Sequence, residues 1–348
     1  MKALVVQRPG KYGIKKLKVP KCNSEDVLIK IKATGICKSD LEVLDGTRPE
    51  PYVKYPVVLG HECSGVIEEC GANVKRFIPG DKVVVRPLFY CGKCRNCSRG
   101  QTNVCEEIQG SLHKEVGFTL NGGFSEYIAV PESMVYKITG SVSFEVAALT
   151  EPTACVWNGI VRSRPKPSDI VTIIGSGPIG LLAVIFYQFY QPSKTILLGR
   201  REERNDLGRK MGATHTINVR KDNPVEAVRD ITGEKGPDIV FEAAGNIAAA
   251  KLAFQLVRRG GMIVLEGVVG GGLKVELESD LFVFKDIRLE GIFAYTARTF
   301  YEAVNLLERK SDSLKMLITH TFRLHDFERA FSTVRERKEG ANKVLIKP

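Results

Sequence analysis

The run Val171-Thr172-Ile173-Ile174 leading into Gly175-Ser176-Gly177-Pro178-Ile179-Gly180 constrains the fold of this chain more than any other stretch. Four β-favouring residues end at Gly175, the first of three glycines in G-x-G-x-x-G spacing. The first glycine suits a tight turn, the second a close approach to the backbone, and the third the packing of a helix on a strand. That reading requires a βαβ unit, and the sequence continues as one. Helices are expected over 178–190, 202–211 and 248–257. Strands are expected over 170–175, 195–199, 238–242, 261–266 and 287–292. Regular alternation of this kind implies a parallel sheet covered on both faces.

The first 150 residues have a different texture. Short β-favouring runs (4–6, 27–31, 57–59, 66–67, 82–85 and 127–130) alternate with turn signals such as Pro79-Gly80-Asp81 and Asn121-Gly122-Gly123. No long amphipathic helix is expected there. Helical spacing begins over 144–149 and 154–161, and 165–168 reads as a short linker. Helices over 298–308 and 326–335 and a strand over 343–346 close the chain and are expected to return to the first part. With 348 residues, two domains are expected. The fold class is α/β, with a β-rich domain beside a doubly wound parallel sheet.

The glycine loop opens a helix, whose free N–H groups and positive dipole end suit a pyrophosphate. A dinucleotide with an unmodified ribose calls for an acidic residue about twenty positions further on. The chain there reads Gly199-Arg200-Arg201-Glu202. The carboxylate is missing, and two guanidinium groups stand where a 2′-phosphate would lie. Arg200 and Arg201 also suit the solvated start of a surface helix, and Glu202 lies further along. NADP is expected over NAD. Ala244 and Val268 lie at later strand ends, as cofactor walls or as plain turns.

Cysteine usage points to metal. Cys91, Cys94, Cys97 and Cys105 follow C-x2-C-x2-C-x7-C on a polar loop. Four thiolates at this spacing close a tetrahedron around a structural Zn²⁺. An iron–sulfur cluster takes the same number of cysteines, but zinc is the expectation. A second constellation is Gly60-His61-Glu62, preceded by Gly35-Ile36-Cys37 and followed by Thr150-Glu151-Pro152. Thiolate, imidazole and carboxylate are ligands zinc takes in catalytic sites, where three protein groups leave one position open.

The formal net charge is +11, with Lys and Arg scattered along the chain. That distribution disfavours nucleic acid as a partner and suits an anionic small molecule. No apolar run is long enough to span a bilayer, so no membrane association is expected. The N-terminus starts as a strand, and the cytoplasm is the expected compartment.

Together, Gly60-His61-Glu62 with Gly65 and Gly71, Gly35-Ile36-Cys37, the four-cysteine lobe and the late Rossmann unit resemble the zinc-dependent medium-chain alcohol dehydrogenases over essentially the whole chain. Glu151-Pro152 makes the resemblance closest to their polyol branch. The resemblance implies a GroES-like catalytic domain (1–155 and 293–348) split around a Rossmann domain (156–292). It implies Cys37 and His61 as direct zinc ligands, with Glu62 and Glu151 competing for a further position. Ser39 would relay the substrate proton, Asp40 would orient the zinc histidine, and Lys38 would reach the cofactor pyrophosphate. The metal is then one catalytic and one structural zinc per chain. The reaction is hydride transfer between an alcohol or ketone and the nicotinamide, in a homo-oligomer, dimer or tetramer.

Two departures bear on the substrate. Gly291-Ile292-Phe293 is followed by Ala294 where sorbitol enzymes carry an arginine. The stretch Arg86-Pro87-Leu88-Phe89-Tyr90 lacks the histidines of the threonine enzymes. A sugar alcohol, sugar acid or sugar phosphate is the expected class. The remaining histidines, His113, His215, His320 and His325, are expected at the surface or in packing. Cys22, Cys63, Cys70 and Cys155 are expected as small buried side chains.

Overall fold

A computed structural model describes residues 1–48, 51–108, 113–270, 272–337 and 340–348. The chain divides into two compact units. One comprises Met1–Ala154 with Thr296–Pro348, the other Cys155–Tyr295.

The strands, in chain order, are β1 (Lys2–Arg8), β2 (Lys11–Lys16), β3 (Asp26–Gly35), β4 (Val57–Val58), β5 (Glu62–Cys70), β6 (Lys82–Val85), β7 (Tyr127–Pro131), β8 (Val135–Lys137), β9 (Ile170–Ile174), β10 (Lys194–Gly199), β11 (His215–Asn218), β12 (Ile239–Glu242), β13 (Met262–Leu265), β14 (Arg288–Gly291), β15 (Ile318–Arg323) and β16 (Lys343–Lys347).

In the first unit the main sheet runs β15-β16-β3-β5-β6-β8, with β7 also paired to β3, and a smaller sheet runs β2-β1-β4. Strand β16 pairs antiparallel with β3, and β3 pairs antiparallel with β5. The end of the chain, β15 and β16, therefore extends one side of the sheet built by its beginning. The sheet buries Val27, Ile29, Ile31, Ile67, Val83 and Val85 with Phe77 and Met134. A second apolar cluster joins Leu59, Phe118 and Phe124 to Phe327 and Phe331 of the C-terminal helix Phe327–Glu336.

The second unit holds one six-stranded parallel sheet in the order β11-β10-β9-β12-β13-β14. In order of appearance that is 3-2-1-4-5-6, the doubly wound arrangement whose switch point lies between the first and fourth strands. Strand β9 is that first strand, and it ends at Gly175. The central strands β10, β9, β12 and β13 read as apolar runs because both faces are covered, and Ile173, Leu197, Val240 and Ile263 are fully buried. The helix Pro178–Tyr187 after the glycine loop is buried almost throughout. Its aromatic end stacks on Trp157, whose ring lies 6.0 Å from that of Tyr190. Trp157 is therefore partly buried and packs against aromatic rings of its own unit.

Among the described residues no helix is long and apolar enough to cross a membrane.

Candidate metal and cofactor sites

Cys37 is the N-cap of a helix, Lys38–Asp45, two residues beyond the end of β3. Asp40, in the first turn, is fully buried, and its Oδ2 accepts the Cys37 backbone N–H at 2.8 Å. Its Oδ1 lies 3.5 Å from Nδ1 of His61. Asp40 thus ties the helix start to the imidazole. Ser39 is half-buried beside it, and Lys38 is exposed and pairs with Glu42 at 3.7 Å.

His61 and Glu62 arrive from the other direction, at the junction of β4 and β5. Gly60, just before them, has φ of +95°, and a Cβ there would stand 2.8 Å from the Phe124 backbone nitrogen. Only glycine meets both demands. The His61 ring packs on Phe118, with centroids 4.8 Å apart. His61 and Glu62 are 3% and 1% exposed.

These elements bring donor atoms of Cys37, His61 and Glu62 within 4.8 Å of one another. Thiol, imidazole and carboxylate form a donor set suited to zinc, and they converge here in a buried place. Nδ1 of His61 and Oδ1 of Asp40 face each other at 3.5 Å, and neither has a closer hydrogen-bond partner. Burial alone would lower the His61 pKa, but the Asp40 carboxylate and the Cys37 sulfur outweigh it and hold the imidazole well above its ordinary value. Glu151 sits half-buried in the first turn of the helix Thr150–Ser163, within the electrostatic reach of His61 and Glu62. Burial pushes its carboxyl up to about 7.

Two features of this region escape sequence reasoning. Lys343, the first residue of β16, is 4% exposed and pairs with Glu62. His113 is buried, with Nε2 2.8 Å from Oε2 of Glu115, which also receives Arg48 at 3.1 Å. The Arg48 guanidinium lies 3.8 Å from the centre of the Phe118 ring. His113 is thus a packing residue whose charge network backs the aromatic wall of His61. Glu115 is the only signal of it in the sequence, two positions along, and that spacing is too common to notice.

The four-cysteine lobe is closed on itself. The sulfurs of Cys91, Cys94, Cys97 and Cys105 all lie within 4.8 Å of one another, and none is in a disulfide. Cys91 to Cys97 is 4.0 Å and Cys94 to Cys105 is 3.9 Å. A tetrahedron with metal–sulfur bonds of about 2.3 Å has edges of about 3.8 Å. Backbone N–H groups of Lys93 and Cys94 point at the Cys91 sulfur at 3.4 and 3.3 Å. Hydrogen bonds to the Cys94 sulfur, led by the backbone N–H of Cys97, lower its pKa to about 6, while burial pushes the Cys97 thiol up to about 12. The lobe is suited to hold thiolates around a cation. Of the other cysteines, Cys63 is buried, while Cys22, Cys70 and Cys155 are only partly so, contrary to expectation.

In the second unit the glycine loop leaves β9 with Gly175 at φ of +114°. A Cβ at Gly180 would fall on the carbonyl oxygen of Gly175, so helix and strand meet without side chains between them. Gly177 caps the helix, followed by Pro178 at its first position and Ile179. The neighbouring loops converge on this point. A Cβ on Gly175 would stand 2.9 Å from the Ala244 nitrogen, and one on Gly245 would stand 2.7 Å from the Val268 oxygen. Ala244 is exposed, and Val268 is 71% exposed. Strand β10 ends against the glycine loop, because a Cβ on Gly199 would strike Ser176 Oγ. Arg200 and Arg201 follow directly, the first exposed and the second half-buried. Glu202 is engaged on its own helix side, accepting from Asn218 at 3.0 Å and Arg209 at 3.1 Å.

Fold and sites together define a zinc-binding dehydrogenase that works with a nicotinamide cofactor. Residues 23–140 match the alcohol dehydrogenase GroES-like domain, and residues 178–309 match the zinc-binding dehydrogenase domain. The chain is 34% identical to a sorbitol dehydrogenase of Bacillus subtilis (strain 168), over 100% of this chain and 97% of that one. It is 32% identical to an L-threonine 3-dehydrogenase of Bacillus velezensis, over 100% and 99%. Among solved structures, a zinc-binding dehydrogenase from Sinorhizobium meliloti 1021 bound to NADP superposes with a TM-score of 0.92 at 30% identity, covering 100% and 99%. An alcohol dehydrogenase from Escherichia coli CFT073 complexed with NADH superposes with a TM-score of 0.91 at 29% identity, covering 100% and 99%. The chain belongs to the zinc-dependent medium-chain alcohol dehydrogenases, in their polyol branch. It is an oxidoreductase acting on alcohols.

Proposed function

We propose that this dehydrogenase interconverts a secondary alcohol bearing further polar groups (a polyol, sugar acid or sugar phosphate) with its ketone, using NADP. The observation that carries the reaction class is the buried convergence of Cys37, His61 and Glu62 in front of Asp40. Cys37, His61 and one of Glu62 and Glu151 would hold the catalytic zinc. When bound, zinc supplies Lewis acidity toward the alcohol oxygen and so eases loss of its proton. Asp40, facing Nδ1, fixes the ring of His61 and leaves Nε2 as the nitrogen offered to the metal. Ser39 Oγ would accept the hydroxyl proton and release its own toward solvent. Cys91, Cys94, Cys97 and Cys105 would hold the second, structural zinc.

The preference for NADP rests on Arg200 and Arg201 at the end of β10. It is supported by Glu202, which is turned to Asn218 and Arg209 instead of standing as a ribose acceptor. Gly175, Gly177 and Gly180 open the loop to the pyrophosphate, and Ala244 and Val268 face the nicotinamide half. The enzyme is proposed to act as a dimer or tetramer on a small-molecule substrate, without nucleic acid.

A panel of polyols, sugar acids, sugar phosphates, simple secondary alcohols and amino alcohols, assayed with NAD⁺ and NADP⁺ side by side, tests this reading. Preferred turnover of a multiply hydroxylated substrate with NADP⁺ supports it. A clear NAD⁺ preference with L-threonine or a simple alcohol replaces it.

A further inference from the structure

Lys343 is out of place by its surroundings. It opens β16, where Lys343, Val344, Leu345 and Ile346 are all buried. Its ammonium meets Oε2 of Glu62, and the two side chains are 4% and 1% exposed. The three central strands arrange this meeting. Gly35 of β3 pairs with Leu345 of β16 on one side and with Glu62 of β5 on the other. A Cβ on Gly35 would fall on the Glu62 carboxylate and stand 2.9 Å from Lys343 Cε. The missing side chain leaves the lane in which ammonium and carboxylate meet.

A buried ion pair is weak evidence for stability, because both charges lose their water and an apolar pair of similar size often does as well. The pair therefore calls for another reason, and its location supplies one. The Glu62 carboxylate is within 4.8 Å of the donor atoms of Cys37 and His61. Lys343 is also close enough to Cys37 and Glu151 for their charges to act on it. One carboxylate thus has two suitors, an ammonium on β16 and a cation held by Cys37 and His61.

We propose that Lys343 is a positioning residue of the metal site: its buried ammonium competes with zinc for the Glu62 carboxylate and holds it back from full ligation. Glu151, within the electrostatic reach of His61 and Glu62, is then the carboxylate that would complete the metal's ligand set. The lysine also offsets one of the negative charges gathered around the cation, so a second glutamate can stand by without over-neutralising it. This inference rests on the reading that Cys37 and His61 hold zinc.

The test is a double-mutant cycle on metal affinity, with no turnover involved. Metal-free full-length protein is titrated with Zn²⁺ against a chromophoric chelator, and with Co²⁺ followed by its absorption bands. The variants are Lys343→Met, Lys343→Arg, Glu62→Gln and the Met/Gln pair. A parallel Cys37→Ser background keeps only the metal of the four-cysteine lobe and isolates the site in question.

Lys343→Met is expected to tighten zinc binding at the Cys37 site by about tenfold and to shift the Co²⁺ bands, within the range by which neighbours of ligands tune metal sites. Lys343→Arg stays close to the parent. Glu62→Gln changes affinity little while Lys343 is present and reverses the whole gain in the Met background. Equal effects of Glu62→Gln in both backgrounds, or unchanged or weaker binding in Lys343→Met, overturn the proposal. Should Lys343→Met fail to fold, Glu62→Gln alone decides. A loss of about tenfold or more with Lys343 intact means that Glu62 is already fully on the metal, and the idea falls. If Cys37→Ser leaves the metal content unchanged, the reading of the site fails first, and the two failures are told apart.

Discussion

Oδ1 of Asp40 stands 3.5 Å from Nδ1 of His61, while Oδ2 of the same carboxylate takes the backbone N–H of Cys37 at 2.8 Å. One buried side chain therefore sets the orientation of both proposed ligands. Asp40→Asn keeps its volume and removes its charge. It is expected to lower zinc affinity at this site by about 10–100-fold, the usual weight of a partner behind a metal histidine. Competition against a chelator measures it. Unaltered affinity would mean that Asp40 only fills space.

The same contact predicts how the metal-free protein responds to pH. The folded pKa of His61 is raised, so the sign is that of a group gaining a partner. Its protonated form stabilises the metal-free fold fully below the unfolded value of about 6.5, and that contribution disappears as pH rises through the raised folded value. Zinc must displace this proton. Apparent zinc affinity should therefore climb with pH by about tenfold per unit for each proton displaced, from His61 and from the Cys37 thiol, until both ligands are deprotonated. Titrations between pH 6 and 9 would detect this, and a flat profile would argue against both His61 and Cys37 as ligands.

The four-cysteine lobe is expected to hold its own metal. Cys94→Ser should halve the zinc content of the purified protein and lower its melting temperature, because the short helical turn Arg95–Ser98 has no buried residue of its own. Zinc analysis with a thermal scan checks both. Full zinc content in the variant would argue against a tetrahedral site. Two zinc equivalents in the parent, without the absorption of iron–sulfur clusters, settle the choice between the two kinds of site.

What was legible in the sequence follows physical range. The zinc cysteines, His61-Glu62 and the glycine loop are local patterns, whose chemistry is set by spacing along a few residues. The central strands of the parallel sheet, β9, β10, β12 and β13, were readable because burial on both faces makes them apolar runs. Strand β2, Lys11–Lys16, was missed because most of its residues are polar and exposed at a sheet edge. Strand β11 fell in a stretch with few apolar residues, and the helix Pro224–Thr232, though Val225, Val228 and Ile231 share one face, is only nine residues long. Helix Lys38–Asp45 was missed because eight residues scarcely develop one. Lys343 was beyond reach for another reason. Its strand was expected, but its partner Glu62 lies at the other end of the chain, and only sheet order brings them together.

The arginines at the end of β10 carry the prediction on cofactor choice. Changing both Arg200 and Arg201 to alanine should raise KM for NADP⁺ by about 10–100-fold, since a hydrogen bond to a charged group is worth about 1.5–3 kcal/mol. KM for NAD⁺ should move little, because NAD⁺ lacks the 2′-phosphate. Parallel losses with both cofactors would assign the arginines to helix solvation.

Gly180→Ala should behave in the opposite way. The added methyl group would fall on the Gly175 oxygen, between the helix Pro178–Tyr187 and the end of β9. The helix must move off the strand, and its free N–H groups move with it, away from where the pyrophosphate would lie. Binding of NAD⁺ and NADP⁺ should weaken together, because both share that pyrophosphate. Stability should fall by about 1–3 kcal/mol, as for other insertions into close packing. Zinc content should stay at the parent value, since all the proposed ligands belong to the other unit. Calorimetric titration with each cofactor, a denaturant curve and metal analysis on one preparation separate these effects. Parent-like binding of both cofactors would mean that the glycine loop does not hold the dinucleotide.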